Sequence, residues 1–308
     1  MDRYDVIMIG AGPGGMTAAV YTQRSGLKTM MLEKAAPGGK MMTTWEIENY
    51  TGFDKIGGFE LSEKMFNHTQ ALGVEYRYGD VTSIVDKGNY KELHTASGEV
   101  YETGAVIIGT GTIPRSTNAP GEAKYSGRGV SWCAVCDGAF FKDMDIAVIG
   151  GGNSAIEEAV FLSKTVKHIT VINILPTLQA DAKAIEEAKE TGKMDFLLGY
   201  SVVSFNGDDQ LKSITLRNVE TNEEKEYDFE GAFVFIGQIP ETSFIKDLDI
   251  TNKWGYIEVN AKMETKVPGI YAIGDVIEKD LRQIVTAAAD GSIAAIQVAK
   301  YLDKSNKI

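Results

Sequence analysis

A glycine-rich turn set between a short apolar run and a helical stretch occurs twice in this chain, and that repetition restricts the fold more than any other feature. Residues 4–9 form an apolar run too short for a helix, residues 10–15 read Gly-Ala-Gly-Pro-Gly-Gly, and residues 16–25 are helical in pattern. A second apolar run, 28–32, ends at Glu33, which stands 23 residues beyond Gly10. Strand, glycine turn, helix, strand and closing carboxylate make the spacing of a dinucleotide site. Gly10 permits the tight turn, Gly12 lets the backbone approach a pyrophosphate, and Gly15 lets helix and strand pack. Glu33 can accept from a ribose hydroxyl.

The unit recurs as a strand at 145–149, Gly-Gly-Gly-Asn-Ser-Ala at 150–155, a helix at 156–164 and a strand at 169–172. The position of Glu33 falls here to Asn173, followed by Ile174, Leu175 and Pro176. An acid at that position would favour a free 2′-hydroxyl, and arginines would favour a 2′-phosphate; neither is there. Gly150, Gly152, Asn153 and Ser154 are the residues that a nicotinamide nucleotide would meet. A cradle for such a nucleotide and a retained packing turn are both open readings.

Two such units in 308 residues imply an α/β protein of two Rossmann-like domains, each a three-layer ββα arrangement. Hairpin-like stretches are expected at 75–85, 91–101 and 213–227, and buried strands at 105–108 and 231–236. The turn-rich stretch 114–121 and the break Gly237-Gln238-Ile239-Pro240-Glu241 suggest that the second domain, 117–241, is inserted in a discontinuous first, 1–116 and 242–308. No segment has the roughly 18 uninterrupted apolar residues of a membrane span. The N-terminus lacks the basic start and apolar core of a secretory signal, so a cytoplasmic protein is expected. Lys+Arg 31 against Asp+Glu 43 gives a net charge of -12, which opposes nucleic acid and anionic lipid as partners.

The chain has two cysteines, Cys133 and Cys136. They cannot make a disulfide framework, and the scattered His68, His94 and His168 do not complete a metal site around them, so no metal is expected. A lone C-x-x-C in a cytosolic chain reads first as a redox pair, and a helix start at the motif would lower a thiol's pKa.

The two glycine units, the C-x-x-C just ahead of the second, and a late Gly274-Asp275 together resemble the low-molecular-weight thioredoxin reductases over essentially the whole chain. The residues that carry the resemblance are 10–15, Gly38-Gly39 with Glu48-Asn49-Tyr50, Thr110-Gly111, the stretch 132–138, 150–155 with Glu157-Glu158, Gly274-Asp275 and Arg282-Gln283. The resemblance implies a homodimeric flavoenzyme whose outer domain holds FAD and whose inserted domain holds NADPH and the cysteines. Electrons then pass through FAD and the Cys133/Cys136 dithiol to thioredoxin or a thioredoxin-like protein. It assigns Cys136 to the flavin, Cys133 to the partner disulfide, and Asp137 to proton transfer. FAD would be held by Gly10, Gly12, Gly15, Glu33, Gly39, Asn49, Thr110, Gly111, Gly274, Asp275, Arg282 and Gln283.

One departure stands out. The family's NADPH-binding His-Arg-Arg and the arginine four residues on align with Asn173, Ile174, Leu175 and Gln179. Each lost contact to a phosphate is worth about 1.5 to 3 kcal/mol, so ordinary NADPH use is in doubt. Ferredoxin or another redox protein becomes a candidate donor. If a nicotinamide does bind at 150–155, the inserted domain has to turn about its two linkers between flavin reduction and disulfide exchange. An FAD-dependent dithiol oxidase using oxygen, and a flavin redox sensor without turnover, are the alternatives.

Overall fold

The computed structural model describes residues 3–305 apart from Trp45 and Glu48; of Thr43, Glu46, Val135, Cys136, Lys304 and Ser305 it describes the backbone alone. The chain divides into two compact units, residues 1–113 with 240–308, and 114–239.

The first unit is built on a seven-stranded sheet. Arg3–Ile9 lies at its centre, parallel to Thr29–Glu33 on one side and to Val100–Ile108 on the other. Alternation along these strands sends Val6 and Met8 to one face and Ile7 and Ile9 to the other, and each set joins its own buried cluster. Met30 and Met31 follow the same rule, one to each face, and both are fully buried core residues. The helix Pro13–Arg24 and the C-terminal helix Ile284–Ser305 pack together over one of those faces.

Glu75–Tyr78 corrects one expectation. It does not pair with the strand that follows it but runs parallel to Thr29–Glu33 at the sheet edge, reached through the helix Gly58–Ala71. The reason is burial: Val74 and the helix pack onto the parallel core, which a local hairpin would leave uncovered. The antiparallel partner of Val81–Asp86 is instead Lys91–Thr95, and Lys91–Thr95 pairs in turn with Val100–Ile108.

The second unit has a five-stranded parallel sheet in the order Val130–Ser131, Gly231–Val234, Asp145–Ile149, His168–Asn173, Met194–Leu198. The helix Asn153–Ser163 covers one face through Ile156, Ala159 and Leu162. An antiparallel three-stranded sheet, Tyr200–Gly207, Leu211–Asn218 and Glu224–Asp228, completes it and contains the hairpin expected near 213–227. Among the described residues no helix is long and apolar enough to cross a membrane.

Candidate active site

In the first unit the central strand ends at Ile9, flanked by Leu32 and Ile108, so the glycine turn emerges at the carboxyl ends of parallel strands. Ligands of open parallel sheets bind at that edge. Gly10 has φ +105, and a side chain there would run into the Gly109 carbonyl. A Cβ on Gly15 would collide with the Gly10 carbonyl oxygen, which fixes how closely helix and turn approach. Gly12 differs: nothing lies within 4 Å of where its Cβ would stand. No side chain caps the helix that starts there and no acid stands in its first turn, which leaves its first N–H groups without a side-chain partner.

Glu33 closes the unit. Its Oε2 accepts the Ala11 N–H and its Oε1 the Ala35 N–H, each at 2.8 Å. A carboxylate has about four lone-pair sites, so the two hydroxyls of a ribose still find acceptors. Beside it lies a cavity of about 300 Å³ lined by Gly10, Glu33, Lys34, Val81, Thr110 and Glu241, among others. Thr110 Oγ1 donates to the Glu241 carbonyl (2.8 Å), and the Gly111 carbonyl accepts the Glu241 N–H (3.1 Å), so these expected residues hold the cavity wall. Glu241 also pairs with Lys34 at 2.5 Å. Burial is the largest single influence on Lys34 and disfavours its charge, but the bond to Glu241 and the negative charges of Glu241, Asp80 and Glu33 together outweigh it and lift the ammonium above its ordinary pKa.

Gly39 lies against the same turn, where a Cβ would approach the Gly12 Cα to 3.5 Å. The next residue, Lys40, reaches Asp275 Oδ2 at 2.9 Å and Thr112 Oγ1 at 2.5 Å. Gly274, before Asp275, has φ +72, which a side chain would strain. Asn49 donates to Gln283 Oε1 (3.1 Å), and Arg282 donates to the Asp275 carbonyl (3.3 Å) while its guanidinium covers the Tyr256 ring at 4.4 Å. Residues more than two hundred positions apart in sequence thus meet in one unit. An uncapped helix N-terminus, a carboxylate with acceptor sites to spare, a cavity beside it and polar groups ahead of the C-terminal helix suit a flavin dinucleotide.

In the second unit Ser131, Cys133 and Asp137 form a compact turn. Residues Ala134–Asp137 make a single helical turn, closed by Asp137 N–H donating to the Cys133 carbonyl (3.2 Å). Ser131 Oγ accepts the Cys133 N–H (3.0 Å) and has one proton to give. Asp137 Oδ2 at 2.6 Å is the better acceptor than the Cys133 carbonyl at 3.3 Å. The Asp137 carboxylate is therefore held by Ser131 and makes no cap bond to a helix. Cys133 is disulfide-bonded, and no free cysteine occurs among the described residues. The Cys136 side chain lies outside those residues. Trp132 is half-buried and packs against the core.

The family profile described as Pyridine nucleotide-disulphide oxidoreductase matches residues 4–291. The chain belongs to that family. It is 47% identical over 302 residues to a thioredoxin reductase of Bacillus subtilis, covering 98% of this chain and 95% of the relative. The crystal structure of Lactococcus lactis thioredoxin reductase superposes with a TM-score of 0.94 at 45% identity, covering 98% of this chain and 99% of the other. That of T. acidophilum gives 0.90 at 34% identity, covering 99% of both. Within the family the chain groups with the thioredoxin reductases: it is a flavoprotein disulfide oxidoreductase, and its cofactor is FAD.

The second glycine loop departs from the first. Gly150 has φ +137 and the helix again starts at Gly152, so the turn itself is retained. Asn173, buried, lies so close that a Cβ on Gly151 would stand 2.5 Å from its amide. Its Nδ2 donates to the Thr177 carbonyl at 2.8 Å. Gln179 N–H donates to the Gly151 carbonyl (2.7 Å), and Asn153 exchanges two bonds with Asp181, at 2.7 and 2.9 Å. The segment 173–181 is thereby laced onto the loop, and it exposes Ile174 and Leu175.

Sequence reasoning missed Ser131, Lys34, Glu241 and Asp181. Ser131 has a signal, a hydroxyl two residues before Cys133 able to bond back to the backbone. Lys34 and Glu241 are 207 residues apart and carry none.

Proposed function

We propose that the chain reduces the disulfide of thioredoxin or a thioredoxin-like protein, using FAD held in the first unit and the Cys133/Cys136 couple of the second. The observation that carries this reading is the Ser131–Asp137–Cys133 turn, which joins a disulfide-bonded cysteine to a fixed carboxylate. Bound FAD supplies a two-electron store between the donor and the cysteine couple. Gly10, Gly12 and Gly15 would receive the pyrophosphate, Glu33 the ribose, Asp275 the ribityl chain, and Asn49, Arg282 and Gln283 the ring. Gly39, Thr110, Gly111 and Gly274 shape the backbone around it.

Once the pair is a dithiol, the Cys133 thiolate attacks one sulfur of the partner disulfide and the partner's other sulfur leaves as a thiolate. Cys136 then attacks the mixed disulfide at Cys133. The intramolecular disulfide re-forms, and the partner leaves with two electrons more than it brought. Asp137, oriented by Ser131, exchanges the proton that joins or leaves the thiolate. The flavin residues and the cysteines belong to different units, so electrons must cross from one to the other in each turnover.

The donor follows from the second glycine loop. Where a 2′-phosphate would need cations, the segment offers Asn173, Ile174, Leu175 and Gln179, with Asp181 bonded to Asn153. NADPH is on this reading a poor donor, and a reduced protein of the ferredoxin kind takes its place. A cytoplasmic homodimer completes the proposal.

The test is anaerobic mixing of the FAD-loaded enzyme with NADPH, NADH and reduced ferredoxin, following flavin bleaching and then thioredoxin reduction. Fast bleaching by NADPH would overturn the donor assignment. Oxygen uptake with dithiols, without donor-driven thioredoxin reduction, would favour the oxidase instead. For the thiols, Cys133→Ser is expected to give a long-wavelength charge-transfer band between Cys136 and the flavin; the same band in Cys136→Ser alone would reverse their roles.

A further inference from the structure

Asp290 and Lys279 form a buried ion pair that the reaction above does not use: Nζ and Oδ2 are 2.5 Å apart, with the side chains 13% and 12% exposed. The same Oδ2 accepts the Gly274 N–H at 3.0 Å. Gly274 is the left-handed residue directly before Asp275. Asp290 lies in a turn of the C-terminal helix that also packs on the first glycine loop. A Cβ on Gly291 would collide with the Gly14 carbonyl oxygen, and one on Gly14 would come to 3.0 Å of the Ala287 carbonyl oxygen. One helical turn, 287–291, therefore touches the backbone of the pyrophosphate loop and grips the peptide that aims Asp275.

We infer that Asp290 is a positioning residue for FAD: it fixes the Gly274 peptide, and hence Asp275, relative to the glycine turn at 10–15. Lys279 supplies the counter-charge that a buried carboxylate needs. The inference rests on the reading of Asp275 as a ligand of the ribityl chain. It explains why a charge is buried here at all, since a neutral, apolar pair of similar volume would pack at least as well but would leave the Gly274 N–H without an acceptor.

The two roles of Asp290 can be separated. Asp290→Asn with Lys279→Gln keeps an oxygen acceptor and removes both charges. Asp290→Lys with Lys279→Asp keeps the charge pair and removes the acceptor. Deflavinated protein is titrated with FAD, reading the binding constant and the resolution of the flavin's visible bands, beside urea unfolding midpoints. The Asn/Gln variant is expected to bind FAD within about threefold of the parent, and the charge-swapped one at least about tenfold more weakly with altered bands. Should the swapped protein fail to fold, Asp290→Leu with Lys279→Met removes acceptor and charges together and is expected to show the same loss of affinity.

Parent-like binding by whichever acceptor-less variant folds overturns the inference, as does an Asn/Gln variant that loses as much as they do. Asp275→Ala is the control: if it binds FAD like the parent, the ligand reading of Asp275 fails and the positioning role falls with it. A loss in Asp275→Ala beside a parent-like acceptor-less variant rejects the positioning role alone.

Discussion

The two glycine loops share a backbone and differ in what faces it. Both turn at a glycine of positive φ and both start a helix at the third position of the loop. At the first loop Glu33 accepts two backbone N–H groups beside a cavity of about 300 Å³. At the second, the amide of Asn173 packs on Gly151 and donates to its own chain. A Rossmann turn is thus a packing solution first. Whether it serves a nucleotide is decided by the residue that ends the second strand and by the segment that returns over the loop.

The largest effect should come from removing the close approach in the first loop. Gly15→Ala drives a methyl into the Gly10 carbonyl. It is expected to abolish FAD retention on purification and to cost about 1–3 kcal/mol of stability, read from flavin content and urea midpoint. Gly152→Ala, the counterpart of Gly12, is the control in the second loop, because its Cβ would meet nothing within 4 Å; flavin content should not change. Equal losses in both would mean that the close approach of Gly15 to the Gly10 carbonyl is not what retains the flavin.

Next is Glu33. Glu33→Ala removes the acceptor for two N–H groups and, on the proposed reading, for the ribose, so FAD affinity should fall about a hundredfold in a fluorescence titration. Asn173→Ala should leave FAD affinity at the parental value. Conversely, Ile174→Arg with Leu175→Arg places cations on two exposed positions of the second loop. NADPH-driven bleaching should then accelerate by tenfold or more, while NADH-driven bleaching stays as it was. A double variant no faster with NADPH would show that the lacing by Asn173, Gln179 and Asp181, rather than missing charge, closes the site.

Much of this was legible in the sequence because it depends on short-range spacing. Gly10, Gly12, Gly15 and Glu33 fall within one strand–helix–strand unit, and the apolar run at 4–9, too short for a helix, reads as its first strand. What was not legible depends on return paths. Asp181 comes back to Asn153 through a loop whose course nothing in residues 173–181 announces. The contact of Asn49 with Gln283 spans 234 positions. The strand at 75–78 looked like half of a hairpin because local pattern favours near neighbours, whereas burial of the parallel sheet decided its partner.

A smaller effect is expected at the cysteine turn. Ser131→Ala removes the donor to Asp137 Oδ2 and the acceptor of the Cys133 N–H. Thioredoxin reduction should drop about tenfold, with a shifted pH profile, since a merely structural change would lower the rate at every pH alike. An unshifted profile would separate Asp137 from the proton step.

The smallest effect returns to the two helices. Where the first buries Ala18 against the C-terminal helix, the second carries Glu158 at the equivalent position. Burial, and after it the charge of Glu157, pushes the Glu158 carboxyl up to about 7. A carboxyl whose folded pKa lies above its unfolded value binds more protons when folded, so its contribution to stability is complete below about 4.5 and is lost as pH rises through about 7. Glu158→Gln abolishes that slope. The variant should gain on the order of 1–2 kcal/mol over the parent at pH 8, after allowance for partial solvent screening, and nothing near pH 4.5. Urea midpoints at the two pH values check it. A gain of equal size at both would mean that Glu158 titrates alike in the folded and unfolded chain, and that the second helix tolerates a charge at this position because that face is open rather than packed.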